Sequence, residues 1–258
     1  MKKIIRYTIL FPAIIYIGLI LFLFFVQKSL VYYPDNTAFN DCSTFEQNEQ
    51  KEYNGTHFYE HKGENNNLIV FFHGNAGRAC DRSYMKQILE KTHSSIIFVE
   101  YFGYSDNDNS PNIESILQDV KNIGNYVQKS DYENIFLFGR SIGSGPASYY
   151  AQNFLVDKLL LISPFSNLYE PGKNIYPYLP IKYIFTENFS PKEYLENYKN
   201  DLLIIHGDSD KTVPTKYGIN LYEGLKNENK NLVLVKGGDH NNLFPDDNIE
   251  EKIINFFN

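Results

Sequence analysis

Gly139-Arg140-Ser141-Ile142-Gly143 sets a serine between two glycines, in the pattern G-x-S-x-G. Chance places that pentapeptide in about one chain in ten of this length, so its meaning depends on its partners. A serine hydroxyl is a poor nucleophile at neutral pH and needs a base that a carboxylate holds in place. Both partners follow downstream, each directly after an apolar run. LLIIHGDSDKTVP offers Asp208 and Asp210, and LVLVKGGDHNN offers His240 on a Gly-Gly turn. Of the six histidines, His240 alone lies downstream of both the serine and the acids. The order serine, acid, histidine is one of the known chain orders of such a triad. On these residues alone the choice between Asp208 and Asp210 stays open. Charge developing on a substrate carbonyl oxygen needs backbone N–H donors. The residue after the serine, Ile142, supplies one, and the FFHGNAG loop supplies the other through Asn75. His73, in the same loop, precedes the serine and reads as a loop brace, not as a base. There is no Cys-x-x-Cys or His/Cys cluster, so no structural zinc is expected, and no metal or organic cofactor is implied.

These residues require elements that bring them together. NLIVFF from residue 67 is a continuous apolar run ending at His73-Gly74, as a buried strand does. A helix is predicted over Arg78–Lys91, a strand at SSIIFVEY, and a helix over Ile113–Val127 with Ile116, Leu117, Val120, Ile123 and Val127 on one face. Then follow strand ENIFLF, a helix from Ile142, strands KLLLIS and DLLIIH, a helix from Thr215 to Leu225, strand NLVLV and a closing helix over Asp246–Phe256. Residues 31–61 are irregular, with room for one to three short strands. Alternating helices and doubly apolar strands predict an α/β fold, a mainly parallel, doubly wound sheet covered on both sides. Ser141 then falls at a strand-to-helix turn, where small flanking residues relieve crowding and the helix start offers free N–H groups. A phosphate-binding loop is disfavoured: the glycines follow roughly the third parallel strand and lack the phosphate-binding lysine. The stretch at about 164–200, rich in Pro and aromatics (YPYLPIKYIF), breaks the alternation and reads as a short lid insertion over the strand ends.

The first residues differ in kind. Tyr7 to Val26 runs twenty residues without a charge, about what a helix needs to cross a bilayer. Pro12 sits near the start of that run. No small-x-small cleavage pair follows in FFVQKSLVYYP, so residues 1–28 read as an uncleaved signal anchor and 29–258 as one folded domain. The chain carries −7, yet its first thirty residues hold four cations and no acid, leaving −11 for the rest. That acidic body argues against nucleic acid as a partner and leaves the membrane as one. Lys2, Lys3 and Arg6 precede the run against Lys28 alone just after it, which predicts a cytoplasmic N-terminus and a catalytic domain on the far side. Such a compartment permits a Cys42–Cys80 disulfide without requiring it; two separate thiols are equally compatible with the residues.

Taken in order, HGNAG, VEYFGYSDNDNSP, GRSIGSG, HGDSDKTVP and GGDHN resemble the α/β-hydrolase superfamily. The resemblance is nearest to single-pass, membrane-anchored serine hydrolases with a serine-aminopeptidase-type domain, a group that includes protein depalmitoylases. It covers roughly residues 28–257, including LVYYPDN directly after the anchor. It implies a Ser141, Asp210, His240 triad, because the family pattern G-x-x-D-x-x-V-P places the acid at Asp210. It also implies hydrolysis of an ester or thioester, or less directly an amide, while the aromatic insertion and the anchor favour an apolar acyl substrate near a membrane. The alternatives are an acyltransferase using the same triad and a catalytically silent binding protein. One departure stands out: Phe102 occupies a position where the family commonly has Arg or Pro.

Overall fold

NLIVFF, SIIFV and NIFLFGR lie side by side at the centre of the sheet in the computed structural model, which describes residues 2–35, 37–105, 110–243 and 247–258. The strands are β1 Gln50–Tyr53, β2 Thr56–His61, β3 Asn67–Phe72, β4 Ser95–Val99, β5 Asn134–Arg140, β6 Lys158–Ile162, β7 Asp201–Gly207 and β8 Lys230–Val235. Their order is β1-β2-β4-β3-β5-β6-β7-β8. β2 pairs antiparallel with β1 and β4, and every later pairing is parallel. The irregular region 31–61 therefore contributes two strands. Asn54-Gly55 joins them with both residues at positive φ, the conformation that a two-residue hairpin turn demands.

Side-chain alternation explains why the central strands read as unbroken apolar runs. Leu68, Val70 and Phe72 face α3 (Ile113–Val127), α4 (Ser144–Asn153) and α8 (Lys216–Gly224). Ile69 and Phe71 face the other way, toward α2 (Ser83–Glu90), α9 (Asp247–Phe257) and the loop rings Phe39 and Phe45. Both faces are buried, so neither can be polar. β3 is followed by β4 on one side and β5 on the other, which makes the carboxyl ends of β3 and β5 a topological switch point, the place where open sheets of this kind form a cleft.

Several boundaries differ from expectation. A tight turn at Ala79–Arg82 precedes α2, and another at Ser141–Gly143 precedes α4. The closing helix starts at Asp247; Asp246 lies outside the described residues, as do residues 106–109 of the VEYFGYSDNDNSP motif. Phe102 takes part through its backbone, whose N–H donates to Asp119 Oδ2 at 2.7 Å, a bond that any residue but proline could make there. Residues 164–200 hold α5 (Tyr169–Ile175), α6 (Ile181–Ile184) and α7 (Pro191–Tyr194) between β6 and β7.

At the other end, α1 spans Lys2–Val31, three residues beyond the expected anchor, because its last turn packs Val31 against the sheet's core. Pro12 lies inside this helix, not near its start, since the basic residues ahead of it are helical too. The segment Leu10–Val31 has a mean hydropathy of 2.4 and is long and apolar enough to cross a membrane. Cys42 and Cys80 form a disulfide, with Cα atoms 5.8 Å apart, which decides between the two states the sequence allowed.

Candidate active site

β5 ends at Arg140, and the next residue, Ser141, turns the chain sharply with φ +52°. A non-glycine residue held there costs on the order of 1–3 kcal/mol, and the surroundings must impose it. The flanking glycines show how. A Cβ at Gly143 would lie 2.1 Å from the Phe72 carbonyl oxygen, and one at Gly139 would lie 2.7 Å from the Gly143 oxygen. Neither position has room for a side chain, so the turn presses directly on β3 and on the start of α4. The Ser144 hydroxyl donates to the Ser141 carbonyl at 2.5 Å and closes the turn.

The structure brings Ser141, His240 and Asp210 into one hydrogen-bonded chain. His240 Nδ1 is 2.7 Å from Asp210 Oδ2, and its Nε2 is 3.0 Å from the Ser141 hydroxyl oxygen. A carboxylate only accepts, so Nδ1 carries the proton and Nε2 is left to accept from the serine. Asp210 Oδ1 accepts from the N–H groups of Thr212 (2.9 Å) and Val213 (2.8 Å). Burial works to raise the Asp210 pKa. Hydrogen bonds from His206 and His240, the positive charge available on His240 and the Val213 N–H outweigh it and hold the carboxyl well below its usual range. Asp208 points elsewhere: its Oδ1 accepts from the Ser209 hydroxyl and from the Gly237 N–H at 2.8 Å. It shapes the turn that carries the histidine loop and does not reach His240.

Two residues that the motif reading passed over complete this arrangement. His206, fully buried on β7, donates from Nε2 to the Val213 carbonyl at 2.8 Å and lies 3.4 Å from Asp210 Oδ2. Its signal was its place four residues before the acid, within HGDSD. Arg140, the variable residue of G-x-S-x-G, reaches across to the histidine loop. Its Nη2 donates to the His240 carbonyl (3.1 Å) and to Asn241 Oδ1 (3.2 Å), while Nη1 donates to the Tyr84 hydroxyl. Nothing in the sequence links residues 140 and 240; the pairing exists only in three dimensions.

Ile142 and Asn75 both line the cavity that holds Ser141 and His240. Ile142 sits in the first turn after β5, where backbone N–H groups have no helical partner. The Asn75 side chain is occupied in bracing. Its Oδ1 accepts from the N–H groups of Ala76 and Tyr33 and from the Tyr104 hydroxyl, and its Nδ2 donates to the Val31 carbonyl. The Asn75 N–H has no hydrogen bond to another described residue. His73 is buried as a brace: Nδ1 donates to the Gly74 carbonyl at 2.7 Å and the ring stacks on Tyr101. Among the described residues no cluster of side chains suits a metal ion.

The cavity has a volume of about 750 Å³, within the range of small-molecule sites. Ser141, His240 and Asn75 line it, together with apolar side chains from Leu23 and Leu30 of α1 and from Phe165, Ile181 and Phe185. Chemically, such a site can place a carbonyl carbon against a serine oxygen and an acyl chain against hydrocarbon.

Comparison with known structures supports the architecture. The crystal structure of a monoacylglycerol lipase from Paleococcus ferrophilus superposes with a TM-score of 0.62 at 17% identity, covering 78% of this chain and 98% of that one. The chain has the α/β-hydrolase fold. No family model matches it. Among its curated relatives, an uncharacterized protein of Mycobacterium tuberculosis is 26% identical over 89% of this chain and 85% of its own length. The zebrafish lysophosphatidylserine lipase ABHD12 is 27% identical over 64% of this chain, an alignment that spans about half of that protein, 48%.

Proposed function

We propose that this α/β-hydrolase is a serine hydrolase that cleaves the ester or thioester of an apolar acyl group close to a membrane. The observation that carries the reading is the Ser141–His240–Asp210 chain opening into an apolar cavity. In the acylation step, Ser141 Oγ attacks the carbonyl carbon as His240 Nε2 takes its proton. Asp210 keeps Nδ1 protonated and steadies the imidazolium that forms. The N–H groups of Ile142 and Asn75 hold the oxyanion. The tetrahedral species collapses by expelling the alkoxide or thiolate, which His240 protonates. Water then enters, gives a proton to His240, and attacks the acyl-serine; collapse frees the acid and returns the proton to Ser141. Each proton that leaves Ser141 or water passes through Nε2, so the cycle balances without a cofactor.

The lipase names of a curated relative and of a structural neighbour support an ester of a lipid. Residues 1–28 act as the anchor, the rest as the hydrolase domain, with the insertion as a lid. The positive charges ahead of the anchor support an N-terminus in the cytoplasm and the domain on the other side. The disulfide supports the same side, since such bonds persist in oxidising compartments. The direct test is labelling with a fluorophosphonate, together with turnover of p-nitrophenyl esters beside acyl thioesters. The parent should label and turn over, whereas Ser141→Ala should do neither while still folding. Turnover by Ser141→Ala near the parent level would remove the proposal.

A further inference from the structure

One wall of the cavity beside Ser141 is built from the membrane segment itself. Leu23, Gln27, Leu30 and Val31 of α1 line it, and all four fall within Leu10–Val31, the stretch able to cross a bilayer. A simple tether would leave the domain free to swing, but this helix is fastened at several levels. The Tyr16 hydroxyl donates to the Tyr178 carbonyl at 2.8 Å. Gln27 is only 7% exposed and bonds the insertion's backbone in both directions: Nε2 donates to the Ile184 carbonyl (3.4 Å) and Oε1 accepts from the Thr186 N–H (2.8 Å). Ile184 and Phe185 line the apolar cavity, and backbone polar groups left unpaired in such surroundings are costly. The Tyr32 hydroxyl donates to buried Glu187 at 2.9 Å. Asn75, which lines the cavity beside Ser141, accepts from the Tyr33 N–H at Oδ1 and donates from Nδ2 to the Val31 carbonyl. From Tyr16 to Val31 the helix runs about 22 Å, with the insertion bonded to Tyr16 at one level and to Tyr32, just past the helix end, at the other. The insertion's Tyr178 and Tyr183 rings, 89% and 86% exposed, are the residue type that favours a membrane–water interface.

We infer that α1 is a wall of the acyl-binding site as well as an anchor, and that the substrate is a membrane-resident acyl amphiphile whose chain slides from the bilayer along the Leu23–Leu30 face to Ser141. The inference rests on the hydrolase reading above. A chain moving this way passes from hydrocarbon to apolar side chains and need not expose its methylenes to water, the step the hydrophobic effect opposes. The same contacts make Leu23 and Leu30 determinants of acyl-chain length.

The test uses the full chain in phosphatidylcholine vesicles and two probes, a dodecyl and an ethyl fluorophosphonate. Each forms an Oγ–P bond at Ser141 and expels fluoride as His240 takes the proton. The ratio of the two labelling rates is independent of how much protein is correctly folded. Leu23→Trp and Leu30→Trp should each lower the dodecyl-to-ethyl ratio about tenfold or more, a range expected for reshaping an apolar pocket. Phe25→Trp, at a position 76% exposed and outside the cavity lining, should leave the ratio as in the parent. An unchanged ratio in both leucine variants, or an equal fall in Phe25→Trp, would overturn the wall. Failure of the parent to label with either probe would instead overturn the nucleophile reading, and the inference would fall with it.

Discussion

Replacing Asp210 with asparagine changes one atom type, and the surrounding hydrogen bonds determine the consequence. Two backbone donors, Thr212 and Val213, converge on Oδ1. An amide must therefore leave its oxygen there and turn its NH₂ toward the place of Oδ2. That place is 2.7 Å from His240 Nδ1 and 3.4 Å from His206 Nε2. His206 Nε2 already carries a proton given to the Val213 carbonyl, so it offers the new amide no acceptor. His240 must then accept at Nδ1 and carry its proton on Nε2, facing the Ser141 hydroxyl that it should deprotonate. The base is lost through its tautomer, with the positions of all three residues kept. A loss of this kind costs about 10³–10⁴ in kcat, or about 4–5.5 kcal/mol of transition-state stabilisation. The assay is steady-state hydrolysis of p-nitrophenyl butyrate by Asp210→Asn, with Asp208→Asn as its partner. The fall should appear in kcat and not in KM, because the cavity is unchanged. Asp208→Asn should stay within a few-fold of the parent, since an amide oxygen can still accept from Gly237. A loss below tenfold in Asp210→Asn, or a larger one in Asp208→Asn, would refute the argument. Stability gives an independent check. The folded carboxyl lies below its ordinary pKa of 3.8. Its contribution is therefore present above 3.8 and is lost as pH falls toward the lowered value. The asparagine variant should lack that part of the acid sensitivity.

Three further outcomes follow from other parts of the molecule. Asp119 behaves oppositely to Asp210: burial outweighs its bonds from the Phe102 N–H and the Thr56 hydroxyl and pushes its pKa up to about 7. Its favourable share of stability is complete below 3.8 and declines as pH rises to about 7, so the melting temperature of Asp119→Asn relative to the parent should climb across that window; a flat difference would contradict it. Removing the Cys42–Cys80 bond, which closes a separation of 38 residues, should cost up to about 4 kcal/mol; the denaturation midpoint should fall with reductant in the parent and not respond in Cys80→Ser. A reporter fused at Asn258 should give active alkaline phosphatase and dark green fluorescent protein, and the reverse pattern would place the domain in the cytoplasm.

Much of this molecule was written along the chain. NLIVFF is apolar at every position because helices cover both faces of its strand, and that burial leaves an unbroken run in sequence. Ser141 was legible because a sharp turn pressed against Phe72 excludes side chains at Gly139 and Gly143, and the exclusion shows as fixed spacing. The order of acid and histidine follows from strands laid down one after another in a parallel sheet. Other features depend on which groups face each other once the chain has closed. Asp208 and Asp210 are alike by residue type, and the turn that presents one to His240 and the other to Gly237 separates them. Arg140 bracing the His240 loop joins residues a hundred positions apart, and no local pattern encodes it. That the N-terminal run is long and apolar enough to cross a bilayer is legible from composition alone. That its last turns also wall the cavity depends on Gln27 and Asn75 meeting the insertion and α1 at bonding distance. Periodicity and spacing record what a residue's immediate chain neighbours require. Hydrogen bonds and packing between distant segments are set by closure of the tertiary fold, and only the coordinates hold them.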